Sequence, residues 1–331
     1  MPTPLSFPSL LHARDHGGDG PPLVLLHGAG RSLADWDAVA PLLTRRHRVL
    51  AVDLPGHGGS EHAEGPWSFD TTVAAIERLL VAYGVPEAVP VGHSLGGLVA
   101  LRYAARHGIG SEQSGGSERS GDGERSGDSE RSGDSGGCGG SGVSPGAVDL
   151  DGYWWGRPEQ YPEQDRETVT AGLARVGEMV RAAAGQVAEA DHIAQQAAYA
   201  VLFGIPYARA EAAARGAVRE LPDGRFQTLP VRQRALEMYA AMDDLDLMAL
   251  IRSVPCPVLC VRGRRAQPPT PGLEWFEELT DAHAKMLDRG LAAARAERDS
   301  LTVEDIDATH AMLLEEPEEV AALVLAFTRT L

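Results

Sequence analysis

The segment of the chain with the clearest chemical potential is Gly92-His93-Ser94-Leu95-Gly96, a serine with a glycine two residues away on each side. An apolar run at residues 88–91 precedes it, and a helical stretch follows. A serine at a sharp turn between strand and helix has a strained backbone, and only small residues two positions away avoid steric clashes. The helix behind the turn aims its positive amino-terminal dipole at the serine. The motif therefore predicts an exposed, nucleophilic Ser94.

A serine hydroxyl is a weak nucleophile, so the predicted site needs a base within hydrogen-bonding reach. Imidazole suits this role because its pKa is close to neutrality. The chain has 11 histidines, and His310 lies between a predicted last strand and the closing helix. Neither an HExxH nor a CxxC motif is present. We therefore expect no metal site.

The segments around the motif alternate between short apolar runs and helical stretches. This alternation predicts parallel βαβ units and an α/β fold with a doubly wound, mostly parallel sheet. Residues 158–253 are Ala-rich and mostly helical in pattern, which predicts a helical section between the strands of the sheet. The predicted strands lie within residues 21–30, 48–53, 88–91, 146–152, 257–263 and 301–306.

Together these segments resemble the α/β-hydrolase fold superfamily. The resemblance covers most of residues 20–110 and 145–155, and again 245–331, and the helical middle corresponds to the family's variable lid. It implies a serine hydrolase in which Ser94 attacks a carbonyl and His310 is the base. The matching segments, in the family's order, are LLHGAG (25–30), DLPGHGGS (53–60), VGHSLGG (91–97), PVLCVRG (257–263) and the segment 307–327 that begins DATHAMLL.

The acid of the triad departs from the common family pattern. In most members it lies three residues beyond the glycine of the PVLCVRG strand, but that position is Ala266, and residues 264–273 contain no carboxylate. Some members place the acid after the preceding strand of the sheet, where this chain has Asp151. The resemblance thus implies that Asp151 orients His310. Asp149 is the rival, although two residues back we expect it to be buried in the sheet.

The resemblance also implies an oxyanion hole and a location for the substrate. The backbone NH groups of Leu95 and Ala29 would donate to the developing oxyanion. Tyr153, Trp154 and Trp155 follow the acid at the sheet edge where ligands bind in such folds. They either floor an apolar acyl pocket or pack the lid onto the body. The implied substrate is a carboxylic ester, lactone or thioester of a small apolar or aromatic molecule.

Other functions remain compatible with these residues. A C–C hydrolase, a lyase or a cofactor-free haloperoxidase uses the same three groups, and the missing acid at Ala266 leaves a catalytically inactive binding protein open. Dehalogenases and epoxide hydrolases are disfavoured, because their nucleophile is Asp. We expect a small-molecule substrate and no cofactor, and the sequence does not indicate an oligomeric state.

A repetitive segment interrupts the predicted core. Residues 111–144 are rich in Gly, Ser, Asp, Glu and Arg and contain ERSGD three times with a six-residue period. This composition predicts a disordered insert, because the repeats contain no apolar residue to bury. The predicted organisation is a first core part at 1–110, the insert at 111–144, a core strand and acid loop at 145–157, the lid at 158–245 and a second core part at 246–331.

The charge of the 331-residue chain limits its partners. The formal net charge is −17, and Lys285 is the single lysine. Phosphate contacts need clustered cations, so we expect neither a nucleic-acid partner nor binding to an anionic membrane. Cys256 and Cys260 are too far apart along their predicted strand for a disulfide. With no signal-peptide pattern in residues 1–18, they predict reduced thiols in a cytoplasmic protein.

Overall fold

The computed structural model describes residues 11–108, 144–266 and 272–331. Its strands are β1 (Ala13–Gly17), β2 (Leu23–Leu26), β3 (Val49–Val52), β4 (Val89–His93), β5 (Ala147–Leu150), β6 (Val187–Ala188), β7 (Val218–Glu220), β8 (Phe226–Thr228), β9 (Val258–Gly263) and β10 (Leu301–Ile306). Its α-helices are α1 (Ala40–Leu43), α2 (Phe69–Ala82), α3 (Leu95–His107), α4 (Arg166–Ala183), α5 (His192–Val201), α6 (Tyr207–Gly216), α7 (Arg232–Asp243), α8 (Leu247–Ser253), α9 (Glu274–Glu297), α10 (Met312–Glu315) and α11 (Pro317–Thr328).

Seven strands form the central sheet, in the order β1-β3-β2-β4-β5-β9-β10. Every neighbouring pair is parallel except β1 with β3, which is antiparallel. The predicted mostly parallel sheet is therefore confirmed. The sequence analysis missed β1, because its ARDHG sequence is polar and only partly buried at the sheet edge. The carboxyl ends of β4, β5 and β10 all face one edge, so the residues that follow these strands meet there.

Helices cover both faces of the sheet, which explains the continuous apolar runs of its inner strands. All four residues of β2 are buried. Successive side chains of a strand point to opposite faces. Val24 and Leu26 accordingly belong to one core cluster, whereas Leu23 and Leu25 belong to a second cluster that includes Trp36. The sheet is thus held rigidly between two apolar layers.

The predicted lid (residues 158–245, called the lid below) contains α4 to α7, as its Ala-rich helical pattern predicts. It also contains a small antiparallel sheet in the order β6-β8-β7, which the sequence analysis did not anticipate. These strands have only two or three residues each, too few for an alternating pattern to be visible. The lid is therefore a mixed structure that is predominantly helical.

The predicted disordered insert lies outside the described residues, apart from Ser144. On either side of it, Gly108 and Ser144 form a parallel β-bridge, and the Ser144 NH donates to the His107 carbonyl at 2.8 Å. Gly108 follows the carboxyl end of α3, whereas Ser94 precedes its amino end. The two ends of the undescribed segment are therefore adjacent and lie at the end of α3 remote from Ser94.

Candidate active site

Ser94 occupies a tight turn between β4 and α3 with φ 55° and ψ −121°, a conformation that non-glycine residues rarely adopt. A Cβ atom at Gly92 would lie 1.9 Å from the Gly96 carbonyl oxygen, and one at Gly96 would lie 2.1 Å from the Leu26 carbonyl oxygen. The Ser94 NH donates to the Leu150 carbonyl of β5 at 2.9 Å. The glycine spacing is therefore required by close backbone packing, and the strained turn is held by the sheet.

Asp151 directly follows β5 and also has a positive φ, 54°. Its Oδ2 lies 2.7 Å from Nδ1 of His310, and its Oδ1 accepts a 3.0 Å hydrogen bond from the Gly263 NH of β9. Burial raises the pKa of Asp151, but the hydrogen bonds from His310 and Gly263 outweigh it and hold the pKa below its usual value. Asp151 therefore stays ionised and faces the imidazole.

Asp149, the rival acid, is fully buried within the sheet. Its Oδ1 accepts a hydrogen bond from the Gly152 NH at 2.9 Å, whereas Oδ2 has no hydrogen-bond partner among the described residues. Burial, together with the neighbouring Asp151 charge, raises the pKa of Asp149 well above its usual value. Of the two aspartates, the structure places Asp151 against His310.

The loop that carries His310 is anchored by two residues that the sequence analysis missed. Nε2 of His93 donates to the His310 carbonyl at 2.8 Å. Glu315, whose side chain is 3% exposed, accepts hydrogen bonds from the Thr309 NH at 2.8 Å and the Thr309 hydroxyl at 2.6 Å. Burial, with the nearby His310, lowers the pKa of His93 to about 4, so this donor stays neutral.

The two NH groups assigned to the oxyanion hole lie beside Ser94. Leu95 is the first residue of α3, so its NH has no acceptor within the helix. Ala29 lines the same cavity as Ser94, and a Cβ at the adjacent Gly28 would lie 3.2 Å from the Ser94 Cβ. The loop is fixed by His57, whose Nε2 accepts a 3.2 Å hydrogen bond from the Gly30 NH. Burial lowers the pKa of His57 to about 3, which keeps this acceptor unprotonated.

A cavity of about 310 Å³, here named the first cavity, contains Ser94 and His310 in its wall. Most of its other side chains are apolar and come from the lid and from α10. Among the described residues no hydrogen bond joins the Ser94 hydroxyl to His310, a bond that commonly tightens only when substrate binds. The principal apolar side chains of the wall are Tyr199, Phe203, Ile205, Leu313 and Leu314.

Tyr153, Trp154 and Trp155 are not among the residues that line the first cavity. The ring of Trp154 stacks on Tyr239 of α7 at 5.8 Å, and Trp155 packs edge-on against Phe276 of α9 at 5.6 Å. Trp154 therefore contacts α7, in the lid, and Trp155 contacts α9, in the second core part.

Two absences apply to the described ranges. Within residues 11–108, 144–266 and 272–331, no group of three or more His, Cys, Asp or Glu side chains is arranged to hold a metal ion. No helix in the same ranges combines the length and apolar character needed to cross a bilayer.

Comparisons with known proteins agree with this architecture. A family model described as alpha/beta hydrolase fold matches residues 21–114. The pimeloyl-[acyl-carrier protein] methyl ester esterase of Methylococcus capsulatus is 30% identical over 319 residues, which cover 94% of this chain and 95% of that protein. The 2-succinyl-6-hydroxy-2,4-cyclohexadiene-1-carboxylate synthase of Escherichia coli is 41% identical over 99 residues, 29% of this chain.

Several other curated relatives match over a shorter stretch. The chain spans only 26% to 38% of the length of proteins such as Rv2715 of Mycobacterium tuberculosis, which is uncharacterized, and the Escherichia coli synthase. Among solved structures, E-2-(acetamidomethylene)succinate hydrolase has a TM-score of 0.64 at 21% identity, with 96% of this chain and 95% of that chain covered. That structural likeness supports the fold.

Proposed function

Because this chain belongs to the α/β-hydrolase superfamily, we propose that it is a serine hydrolase that cleaves a carboxylic ester through an acyl-enzyme. The observation that carries the proposal is the 2.7 Å contact between Asp151 and His310 at the cavity that contains Ser94. These three residues follow β4, β5 and β10, whose carboxyl ends share one sheet edge. An ordered acid, base and nucleophile at one edge are the parts that acyl transfer needs.

The first half-reaction transfers the acyl group to the enzyme. Nε2 of His310 accepts the Ser94 proton while Oγ attacks the substrate carbonyl carbon. Asp151 accepts a hydrogen bond from Nδ1, which fixes the tautomer and stabilises the imidazolium. The NH groups of Leu95 and Ala29 donate to the oxyanion. Collapse of the tetrahedral intermediate breaks the bond to the alcohol, which takes the proton from His310.

The second half-reaction repeats this chemistry with water. His310 removes a proton from a water molecule that attacks the acyl carbon, and the same two NH groups hold the second oxyanion. Collapse releases the carboxylic acid and returns the proton to Ser94. The chain's own residues supply every proton transfer, so the proposed reaction includes no metal or cofactor.

The first cavity supports a small apolar or aromatic group on the substrate. Its lid wall includes Tyr199, Phe203 and Ile205, and none of these side chains carries a charge. Burying apolar surface there contributes about 25 cal/mol per Å². Thioesters and lactones present the same carbonyl to Ser94. The relative from Methylococcus capsulatus is named as a methyl ester esterase, which favours an ester.

A second candidate is a C–C hydrolase or lyase that uses the same three residues. The similarity of this chain to the Escherichia coli synthase, 41% identity over 99 residues, favours this candidate. The two candidates differ in the bond that breaks. Turnover of simple p-nitrophenyl esters supports the esterase, whereas turnover confined to carbon-acid substrates supports the alternative.

Labelling with a fluorophosphonate tests the proposal directly. We expect the reagent to modify Ser94 in the wild-type protein, and mass spectrometry locates the adduct. Ser94→Ala should abolish labelling and lower kcat for p-nitrophenyl esters by at least about 10³-fold. Ser253→Ala is the matched control, because this serine ends α8 and bonds only to the Leu250 carbonyl. Labelling or turnover that survives in Ser94→Ala refutes the proposal. A wild-type protein that does not react with the reagent also refutes it, since a catalytically inactive binding protein would give that result.

A further inference from the structure

A second cavity of about 310 Å³ lies next to the first cavity, under the lid. Arg31, Gln196 and Ala214 line both, so the two cavities share a wall. The second cavity is otherwise lined by the ends of α4 and α6, by α5, by β7 and β8 and by α7. None of the roles proposed above for Ser94, Asp151, His310 or the oxyanion hole uses this space.

The loop of the oxyanion hole leads from one cavity to the other. Ala29 lines the first cavity, Gly30 lines the second, and Arg31 lines both. Adjacent Cα atoms are about 3.8 Å apart. The second cavity therefore begins one residue from the NH that is proposed to hold the oxyanion. The Gly30 side of the scissile carbonyl is therefore the side next to the second cavity.

The two cavities differ in chemistry. The first is walled mainly by aromatic and aliphatic side chains, whereas the second adds His192 and Tyr239 to Gln196 of the shared wall. None of these three side chains makes a hydrogen bond to another part of the described structure. Each of the three is free to donate to or accept from a bound molecule.

The second cavity carries little net charge. Its one guanidinium, that of Arg31, bonds through Nε and Nη2 to both carboxylate oxygens of Asp35, at 2.7 and 2.8 Å. This bidentate pair neutralises the cation. A bound group therefore gains hydrogen bonds there without meeting an unpaired charge, which favours a neutral polar group over a carboxylate or phosphate.

We infer that the second cavity is a subsite for an uncharged, hydrogen-bonding arm of the substrate. This inference rests on the proposed ester hydrolysis at Ser94. The substrate then has two unlike arms on either side of the scissile bond, an apolar arm in the first cavity and a neutral polar arm, rich in ether, hydroxyl or amide groups, in the second. Recognition of both arms selects the ester and sets its orientation.

The test uses two isomeric esters, which present the polar arm once as the alcohol and once as the acyl group. One is the hexanoate of diethylene glycol monomethyl ether, and the other is the hexyl ester of methoxyethoxyacetic acid. Ethyl hexanoate and hexyl acetate are the matched esters without the polar arm. We expect one glycol ester to exceed its matched ester about tenfold in kcat/KM, because new hydrogen bonds form in the second cavity.

Filling the second cavity should remove this advantage. Ala217→Leu places a larger side chain in its wall, and the ratio of the two kcat/KM values should fall from about tenfold to near one. Ala183→Leu, on α4, provides a second filling variant if Ala217→Leu does not fold. Ala212→Leu is the control, because this exposed residue of α6 lines neither cavity. A wild type without preference for either glycol ester, or a ratio that both filling variants leave unchanged, overturns the inference.

Failure of the proposed function is distinguished by a binding measurement. If no ester is hydrolysed, calorimetric titration of Ser94→Ala with the glycol esters and their matched esters decides the question without turnover. About tenfold tighter binding of one glycol ester, lost in the double variant with Ala217→Leu, supports the subsite alone. Equal binding of glycol and matched esters overturns it.

Discussion

The sheet body and the lid place different demands on their sequences. At the tight turn between β4 and α3, in the sheet body, a Cβ atom at Gly92 or Gly96 would lie 1.9 or 2.1 Å from a backbone oxygen, so only glycine fits. In the lid, α4 buries only Val169, Gly172 and Val176 of its 18 residues. The proposed reacting groups thus lie on backbone that tolerates few substitutions, while the cavity walls come from helices whose exposed faces tolerate many. This difference separates the chemistry from the choice of substrate.

The largest effect that tests this separation is expected at the acid. Asp151→Asn removes the acceptor that fixes the His310 tautomer, and kcat should fall by about 10⁴-fold, the size seen when such an acid is replaced by its amide. KM should change little, because Asp151 lies outside the lid wall. Steady-state kinetics with a p-nitrophenyl ester measure both constants.

Asp149→Asn is the matched control for this variant. The two side chains lie on the same short segment, but Asp149 accepts from the Gly152 NH and does not contact His310. We expect kcat of Asp149→Asn to stay within a few-fold of the wild-type value. The reverse result, with Asp149→Asn inactive and Asp151→Asn active, would move the acid to Asp149.

Much of the body was predictable because local sequence determines local geometry there. The glycine spacing around Ser94 reports a steric requirement within five residues, and apolar runs such as LVLL report burial on both faces. Residues 264–273 contain no carboxylate, which favours Asp151 as the acid. The hydrogen bond from His93 to the His310 carbonyl could not be predicted, because it joins residues 217 positions apart.

The lid was predictable in class and not in detail. Ala-rich composition indicates helices, but the packing of α5 and α6 decides which side chains reach Ser94. Phe203 lies in the turn after α5 and lines the first cavity, whereas Trp155, much closer in sequence to Asp151, packs on α9. Proximity along the chain to a site residue is therefore weak evidence for a place in the pocket.

An intermediate effect is expected for the lid wall. Phe203→Ala removes an aromatic side chain from the first cavity, and kcat/KM for p-nitrophenyl hexanoate should fall about tenfold, mainly through KM. The chemical step uses none of its atoms, so kcat should change less. A series of p-nitrophenyl esters from acetate to octanoate measures the loss, which should be smallest for acetate.

Trp154→Phe serves as the contrasting variant. Its indole NH donates to Asp243 at 2.7 Å, and its ring stacks on Tyr239, so the substitution should lower Tm by loosening the attachment of α7. KM for the hexanoate should remain near the wild-type value. If KM is raised in Trp154→Phe but unchanged in Phe203→Ala, the aromatic residues after Asp151, and not Phe203, line the substrate pocket.

The smallest effect concerns stability, where the two aspartates should respond to pH in opposite senses. The raised pKa of Asp149 means that the native state keeps a proton that the unfolded chain loses above its pKa of about 3.9. Wild-type stability should therefore fall as pH rises above about 4, by at most about 1.4 kcal/mol per pH unit from this group. Asp149→Asn lacks this loss of stability. The Tm of the variant minus the Tm of the wild type should therefore increase between pH 4 and pH 8.

For Asp151 the sign reverses, because its native pKa is lowered. The stabilisation that its ionised form provides is present above the unfolded pKa of about 3.9 and is lost as pH falls through the native pKa. The Tm difference between wild type and Asp151→Asn should therefore shrink below about pH 4, whereas that of Asp149→Asn changes above it. Calorimetric scans of the three proteins from pH 3 to pH 8 measure both trends, and parallel curves for the two variants would show that both aspartates share one ionisation state.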